Sequence, residues 1–215
     1  MSKVFLIAGL GADTRAYDKI SIEADEIIRV DWIDPDKTDT LKSYSQKLIH
    51  QYNITQNSII IGNSLGGMIA MEIAKEIPLE KTILISSIKT IDEAPWYFSL
   101  FKVLPVYKFI PGKLFTSMGF MIRFVFGKMN KADNWLFNDM LQKSSPKFVK
   151  WAMGAALYWD NRIIPKNVYT ITGDKDDVFD YRRINYAIII KGGTHIMIFD
   201  RAEEVNRILK EIIEK

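Results

Sequence analysis

Short runs of apolar, mostly β-branched residues recur along the chain, and they restrict its fold more than any other feature. Most of these runs do not alternate with polar residues, which is typical of strands that are covered on both faces. Strands of this kind occur in parallel sheets flanked by helices. The six predicted strands are Val4–Ala8, Ile27–Ile33, Ser58–Ile61, Thr82–Ser86, Val168–Thr172 and Ala187–Ile190.

Helical patterns lie between the predicted strands. The segment Leu41–Tyr52 carries apolar residues on one stripe, and a second stripe predicts a helix at the C-terminal end. Ser145 followed by Pro146 predicts the start of another helix, and Asp200 with Glu203 fits a capping box. The alternation predicts an α/β fold with a doubly wound, mainly parallel sheet of about six strands.

Composition excludes several function classes. The chain of 215 residues is long enough for one domain, and a net charge of +3 without a basic cluster argues against a nucleic-acid partner. There are no cysteines, so disulfides and thiolate catalysis are excluded. The first apolar run is too short for a secretion signal, so we expect a cytoplasmic location.

An insertion of 80 residues separates the fourth and fifth predicted strands, at positions 88–167. Its part from Pro95 to Asn130 is rich in aromatic residues and methionine, but recurring charges argue against a membrane span. We expect two short amphipathic helices there that cover the carboxyl ends of the strands as a lid. The alternatives are a small separate core or a membrane-contacting face. The expected organisation is core 1–87, lid 88–143 and core 144–215.

A serine flanked by glycines follows the third predicted strand. The residues Gly62-Asn63-Ser64-Leu65-Gly66 fit the pattern G-x-S-x-G, and a helical pattern follows them. A sharp turn from strand to helix strains the backbone of the serine, and neighbouring glycines avoid steric clashes there. Ser64 is therefore predicted to be a nucleophile at the carboxyl edge of the sheet. The alternative is a tight turn in which Ser64 only caps the helix.

A serine nucleophile requires a base, and the chain has two histidines. His50 falls on the side of its helix opposite the apolar stripe, so we expect it at the surface. His195 follows the last predicted strand and therefore lies at the same edge of the sheet as Ser64. This position predicts His195 as the base; the alternative is a histidine bonded within a turn.

The third role, orienting the histidine, requires an acid after another strand. Three carboxylates compete after Gly173, namely Asp174, Asp176 and Asp177. The loop needs a couple of residues to reach the tip of the next strand, which favours Asp176, with Asp174 as second choice. We expect the other two carboxylates to cap turns. The connection to the next strand is short, so acid and base should lie on adjacent strand ends.

The chain order Ser64, Asp176, His195 resembles that of the α/β-hydrolase family, and the resemblance covers nearly the whole chain. It implies a serine hydrolase of the esterase or lipase kind, with the lid inserted after the fourth strand. Only three residues precede Val4, so we expect a trimmed, all-parallel version without the usual N-terminal hairpin.

The resemblance also assigns an oxyanion hole. The loop after the first strand holds Ala8-Gly9 where the family commonly has a His-Gly pair. This difference leaves the backbone donors intact, so the resemblance implies that the N–H groups of Leu10 and Leu65 form the hole.

Two other functional hypotheses remain open. The chain could be a non-catalytic, ligand-binding relative of the hydrolases. It could also be an NAD-type oxidoreductase, because Gly9-Leu10-Gly11 and Asp31 partly match a dinucleotide-binding fingerprint, although Thr14 occupies the third glycine position.

The preferred function is hydrolysis of an ester or related acyl bond through a Ser-His-Asp triad and an acyl-enzyme. The aromatic insertion favours a small, apolar substrate as the partner. We expect no cofactor, no metal and no stable membrane insertion.

Overall fold

The computed structural model describes residues 3–105 and 129–214. Its strands form one parallel sheet of six, in the order β2-β1-β3-β4-β5-β6. This arrangement confirms the predicted α/β class and parallel sheet. The strands are β1 (Lys3–Ile7), β2 (Glu26–Val30), β3 (Ile59–Asn63), β4 (Lys81–Ile85), β5 (Val168–Gly173) and β6 (Ile188–Ile190).

Helices connect and cover the strands. The described α-helices are α1 (Leu41–Tyr52), α2 (Leu65–Glu76), α3 (Trp96–Val103), α4 (Lys131–Lys143), α5 (Pro146–Leu157), α6 (Met197–Asp200) and α7 (Ala202–Ile213). Their ends follow local chemistry: Thr40 and Ser43 form a reciprocal capping box on α1. Ser145 accepts a bond from the N–H of Phe148 at the start of α5, as predicted.

Both faces of the sheet are covered, as its apolar strands predict. Every residue of β3 and β4 is buried. One face packs against α1, α2 and α5, and Leu48, Met68 and Phe148 belong to that core. The other face packs against α4 and α7, which contribute Phe137 and Leu209. Each buried side chain of this size stabilises the fold by ~1.5–3 kcal/mol.

Two sequence predictions about element ends are wrong. β2 ends at Val30 rather than Ile33. At Ile33 the backbone N–H and carbonyl both bond the hydroxyl of Tyr44 instead of a neighbouring strand. The capping box of Asp200 and Glu203 does not form either. Asp200 lies in the helical backbone of α6, so it cannot adopt the extended conformation of an N-cap, and α7 begins after Arg201 instead.

The long connection from β4 to β5 contains α3, α4 and α5. Asn161 joins its two ends, because its backbone oxygen accepts from the N–H of Ile91 and its side-chain amide donates to the carbonyl of Lys89, each at 2.8 Å. The lid predicted over Pro95–Asn130 falls partly on α3, whereas its positions 106–128 lie outside the described residues. Within the described ranges, no helix is long and apolar enough to cross a bilayer.

Candidate active site

The turn after β3 places Ser64 at the carboxyl edge of the sheet in a strained conformation. Its φ of 51° and ψ of −116° lie outside the usual regions for a residue with a Cβ atom. The turn is sterically tight, since a Cβ on Gly62 would lie 2.3 Å from the carbonyl oxygen of Gly66, and one on Gly66 would lie 2.2 Å from that of Ile7. The glycines of the motif are therefore required by close backbone contacts.

Three predicted residues meet at this edge. The Oγ of Ser64 lies 2.9 Å from the Nε2 of His195. The Nδ1 of the same ring lies 2.9 Å and 3.1 Å from the two carboxylate oxygens of Asp176. A carboxylate only accepts hydrogen bonds, so Nδ1 carries the hydrogen and Nε2 is left as an acceptor for the serine hydroxyl.

Asp176 is fixed in place by its own loop. Its side chain is fully buried, and one oxygen accepts bonds from the backbone N–H groups of Val178 and Phe179 at 2.9 Å each. The ring of Phe179 also packs edge-on against His195, with centroids 5.5 Å apart. These contacts hold the acid and the imidazole in one orientation.

The competing carboxylates lie elsewhere. Asp174 accepts a bond of 2.6 Å from the backbone N–H of Gly192, which braces the turn after β6. Asp177 is exposed to solvent. Among the described residues, only Asp176 of these three contacts His195.

The turns that carry acid and base touch directly. β5 and β6 are neighbours in the sheet, which is the expected adjacency. A Cβ on Gly173 would lie 2.0 Å from the carbonyl oxygen of Gly193, and the N–H of Lys175 donates to that same oxygen. His50 is at the surface, as predicted.

The loop after β1 lies against the nucleophile turn. A Cβ on Gly9 would lie 3.2 Å from that of Ser64, so the neighbouring Leu10 belongs to a loop in direct contact with the turn. Leu65 is the first residue of α2, where backbone N–H groups have no acceptor within the helix. The positions of both leucines are thus compatible with donors to an oxyanion beside Ser64.

Three residues that hold this loop and turn were not predicted from the sequence. The indole N–H of Trp32 donates to the carbonyl of Ala12 at 2.8 Å, and its ring stacks on Phe148. The hydroxyl of Ser87 donates to the carbonyl of Ser64 at 2.6 Å. The third residue is Tyr17.

Tyr17 joins the strands that carry the loop and the turn. Its side chain is fully buried, and its hydroxyl lies 2.8 Å from the carbonyl oxygen of Ile7 and 3.1 Å from that of Ile61. Burial raises the pKa of Tyr17, so the hydroxyl keeps its hydrogen for donation. No sequence pattern identifies Tyr17, ten residues after Ile7, as a residue that supports the site.

A charged contact secures the outer side of the same loop. The guanidinium of Arg15 bonds Asp13 within the loop and Asp139 on α4. Burial tends to raise the pKa of Asp13, but the bonds from Arg15 outweigh this and lower it. The hydrogen bonds from Lys143 and Arg15 lower the pKa of Asp139. The insertion is thereby attached to the loop after β1.

The chain belongs to the alpha/beta hydrolase family, because the sequence profile of that family matches residues 4–208. No curated protein matches the sequence closely enough to count as a relative.

Solved structures of low sequence identity share the fold. An esterase from Exiguobacterium antarcticum is 18% identical with a TM-score of 0.74, and the match covers 100% of this chain and 92% of that one. A hydrolase from Oleispira antarctica is 14% identical with a TM-score of 0.75 and the same coverage of both chains. A bromoperoxidase from Bacillus anthracis is 17% identical with a TM-score of 0.68, again with coverages of 100% and 92%.

Proposed function

We propose that this protein is a serine hydrolase that cleaves an ester or related acyl bond of a small, apolar substrate. The observation that carries the proposal is the continuous contact from Ser64 Oγ through the imidazole of His195 to the carboxylate of Asp176. Membership in the alpha/beta hydrolase family and the esterases among the similar structures support it.

Acylation follows from this geometry. The Oγ of Ser64 attacks the carbonyl carbon of the substrate while its proton passes to Nε2 of His195. Asp176 stabilises the resulting imidazolium. The substrate carbonyl oxygen becomes an oxyanion, which accepts bonds from the N–H groups of Leu10 and Leu65. When the tetrahedral intermediate collapses, the bond to the leaving group breaks and the leaving group takes the proton from Nε2.

Deacylation repeats these steps with water. Neutral His195 removes a proton from a water molecule, whose oxygen attacks the acyl carbon. The same donors stabilise the second oxyanion. Collapse then releases the carboxylic acid and returns the proton from Nε2 to Ser64 Oγ, so the enzyme is regenerated without a cofactor or metal.

The insertion, proposed as residues 88–143, is assigned the role of a cover over this site. Its described parts reach the site from two sides. On the acid side, Tyr97 donates to the carbonyl of Val178 at 2.7 Å, and Phe98 packs against Phe179. On the oxyanion side, Leu141 of α4 lies close to Gly11. Apolar side chains at both contacts favour an apolar substrate.

A covalent probe tests the proposal directly. A fluorophosphonate should label the purified protein, and mass spectrometry should locate the adduct on Ser64. Wild-type protein should also hydrolyse p-nitrophenyl esters, and a series of chain lengths from acetyl to decanoyl would define the acyl preference. Absence of both labelling and turnover would contradict the proposal and favour the alternative of a non-catalytic, ligand-binding protein.

The dinucleotide-binding alternative is weaker. That mode of binding requires an α-helix N-terminus directly after the glycine-rich loop. Here the loop after β1 leads into a single 3₁₀ turn, Thr14–Tyr17. Asp31 is exposed, and both of its backbone groups bond the hydroxyl of Tyr52.

A further inference from the structure

The first turn of α3 lies against the loop that carries Asp176, and two consecutive residues of the helix contact two consecutive residues of the loop. The hydroxyl of Tyr97 donates to the carbonyl of Val178 at 2.7 Å. The ring of Phe98 packs edge-on against that of Phe179, with centroids 6.4 Å apart. The backbone N–H groups of these two loop residues bond Asp176, so the helix contacts the loop where the acid is held.

One peptide group joins Tyr97 to Asp176. The carbonyl of Val178 and the N–H of Phe179 belong to the same planar peptide, so they point in opposite directions. The carbonyl accepts the bond from Tyr97, and the N–H donates to Oδ1 of Asp176 at 2.9 Å. The first bond fixes the rotation of the peptide plane and polarises its N–H, which strengthens the second bond.

Tyr97 has no competitor for this carbonyl. Among the hydrogen bonds of the described residues, only the one from Tyr97 goes to the carbonyl oxygen of Val178. Burial raises the pKa of Tyr97, and the negative charge of Asp176 acts in the same direction. The hydroxyl of Tyr97 therefore keeps its hydrogen and donates it to the peptide at neutral pH.

The residues directly before α3 are anchored next to β6. The ammonium of Lys89 bonds the carboxylate of Glu93 at 2.8 Å and the carbonyl of Asn185 at 2.7 Å. Glu93 also accepts a bond of 2.7 Å from the backbone N–H of Lys89. Both charged side chains are buried, so solvent screens this contact little. The start of the helix is thereby fixed relative to the sheet, and Tyr97 approaches Val178 from a set position.

We propose that Tyr97 is a positioning residue for the acid and the base, and that it acts through the peptide between Val178 and Phe179. This inference rests on the proposed function. The hydroxyl of Tyr97 orients the peptide, the peptide N–H orients the carboxylate of Asp176, and the carboxylate holds Nδ1 of His195. The insertion thus contributes to proton transfer through a hydroxyl that bonds the backbone.

Tyr97→Phe removes only the hydroxyl and tests this role in the active enzyme. It should lower kcat for a p-nitrophenyl ester by about three- to tenfold with little change in KM, because the imidazolium is less well stabilised. The matched control is Tyr52→Phe, which removes a hydroxyl that bonds both backbone groups of Asp31 and should leave kcat unchanged. Thermal unfolding would show that both variants are folded.

A double-mutant cycle measures whether Tyr97 acts through Asp176. In the Asp176→Asn background, Tyr97→Phe should change kcat by less than about twofold, since no carboxylate remains to be oriented. A residue that only supports the fold would instead lower kcat by the same factor in both backgrounds.

A spectroscopic measurement separates this proposal from the proposed hydrolysis. The proton on Nδ1 of His195 should give a downfield NMR signal, because it is bonded to a buried carboxylate. The other histidine, His50, is exposed, so its ring protons exchange with water. Tyr97→Phe should shift or broaden the His195 signal, whereas Tyr52→Phe should leave it in place. This measurement requires no turnover.

Two outcomes would overturn the proposal. One is an Nδ1 signal that is the same in wild type and Tyr97→Phe. The other is an equal loss of kcat in the wild-type and Asp176→Asn backgrounds, because Tyr97 would then act independently of the acid. A shifted signal in Tyr97→Phe without any ester hydrolysis by wild type would contradict the proposed function but support the positioning role.

Discussion

The turn that carries Ser64 and the turn that carries Asp176 lie at the same edge of the sheet but are held in different ways. The first is fixed by shape, since added Cβ atoms at Gly62 and Gly66 would overlap backbone atoms. The second has one tight contact at its base, between Gly173 and Gly193, but the position of its acid is fixed by hydrogen bonds from Val178, Phe179 and His195 to the carboxylate.

This difference explains why the site residue of the first turn is easier to identify from the sequence than that of the second. Steric fixation leaves a pattern of glycines at set positions, which can be read directly. Hydrogen bonding to a side chain leaves no such pattern, because several carboxylates in one loop are chemically equivalent until the loop is folded. The predictions below separate the two kinds of fixation, beginning with the largest effect.

Ser64→Ala should lower kcat/KM for a p-nitrophenyl ester by roughly 10⁴-fold or more, because the attacking oxygen is removed while the turn remains. Fluorophosphonate labelling should disappear as well. Circular dichroism and thermal unfolding should match those of wild type. Turnover near the wild-type level would refute the proposed mechanism.

Asp176→Asn should lower kcat by about 10³ to 10⁴-fold, since the amide can favour the wrong imidazole tautomer and cannot stabilise the imidazolium. Asp174→Asn is the matched control in the same loop, and it should cost less than about tenfold because Asp174 braces the backbone of Gly192. If Asp174→Asn were the more damaging change, the acid would be misassigned.

Gly66→Ala should destabilise the protein by about 1–3 kcal/mol or more, because the new methyl group meets the carbonyl oxygens of Ile7 and Ala8. Urea unfolding would measure the loss. Gly154→Ala within α5 is a control for the general effect of alanine in a helix, and it should be neutral or stabilising by up to about 1 kcal/mol. Equal behaviour of the two variants would argue against steric fixation of the turn.

Ser87→Ala should lower kcat several-fold with little change in KM, since its hydroxyl holds the carbonyl of Ser64 and its side chain is fully buried. Ser87→Thr keeps a hydroxyl and should recover part of the loss. A change in KM alone would show that Ser87 acts on substrate binding instead.

Acid should weaken the attachment of the insertion to the loop after β1. The bonds from Arg15 outweigh the burial of Asp13 and lower its pKa, and the bonds from Lys143 and Arg15 lower that of Asp139. Asp13 and Asp139 therefore stabilise the folded protein fully above the ordinary carboxylate pKa of 3.8. This stabilisation is lost as the pH falls through their lowered pKa values. The stability difference between wild type and Asp139→Asn should shrink between about pH 5 and pH 2.5 in urea unfolding. A constant difference would show that the ion pairs contribute nothing.

The fold was largely predictable because each strand is marked by a continuous apolar run. The positions of Ser64, His195 and Asp176 could be proposed from motif, chain order and loop length. Tyr17, Trp32 and Ser87 could not, because their hydrogen bonds go to backbone carbonyls, and any residue supplies a carbonyl. The end of β2 was misplaced for the same reason, as the hydroxyl of Tyr44 replaces the ladder at Ile33.

The hydrogen bonds that join Asn161 to Lys89 and Ile91 have an evolutionary consequence. These bonds join the two ends of the long connection next to β4 and β5, which pair with each other in the sheet. Lengthening a loop whose ends are already joined costs little, with each doubling adding only about 0.6 kcal/mol. Changes in the length of this connection outside α4 and α5, which pack on the sheet, can therefore be accepted in evolution, and the edge of the sheet that carries Ser64 is preserved.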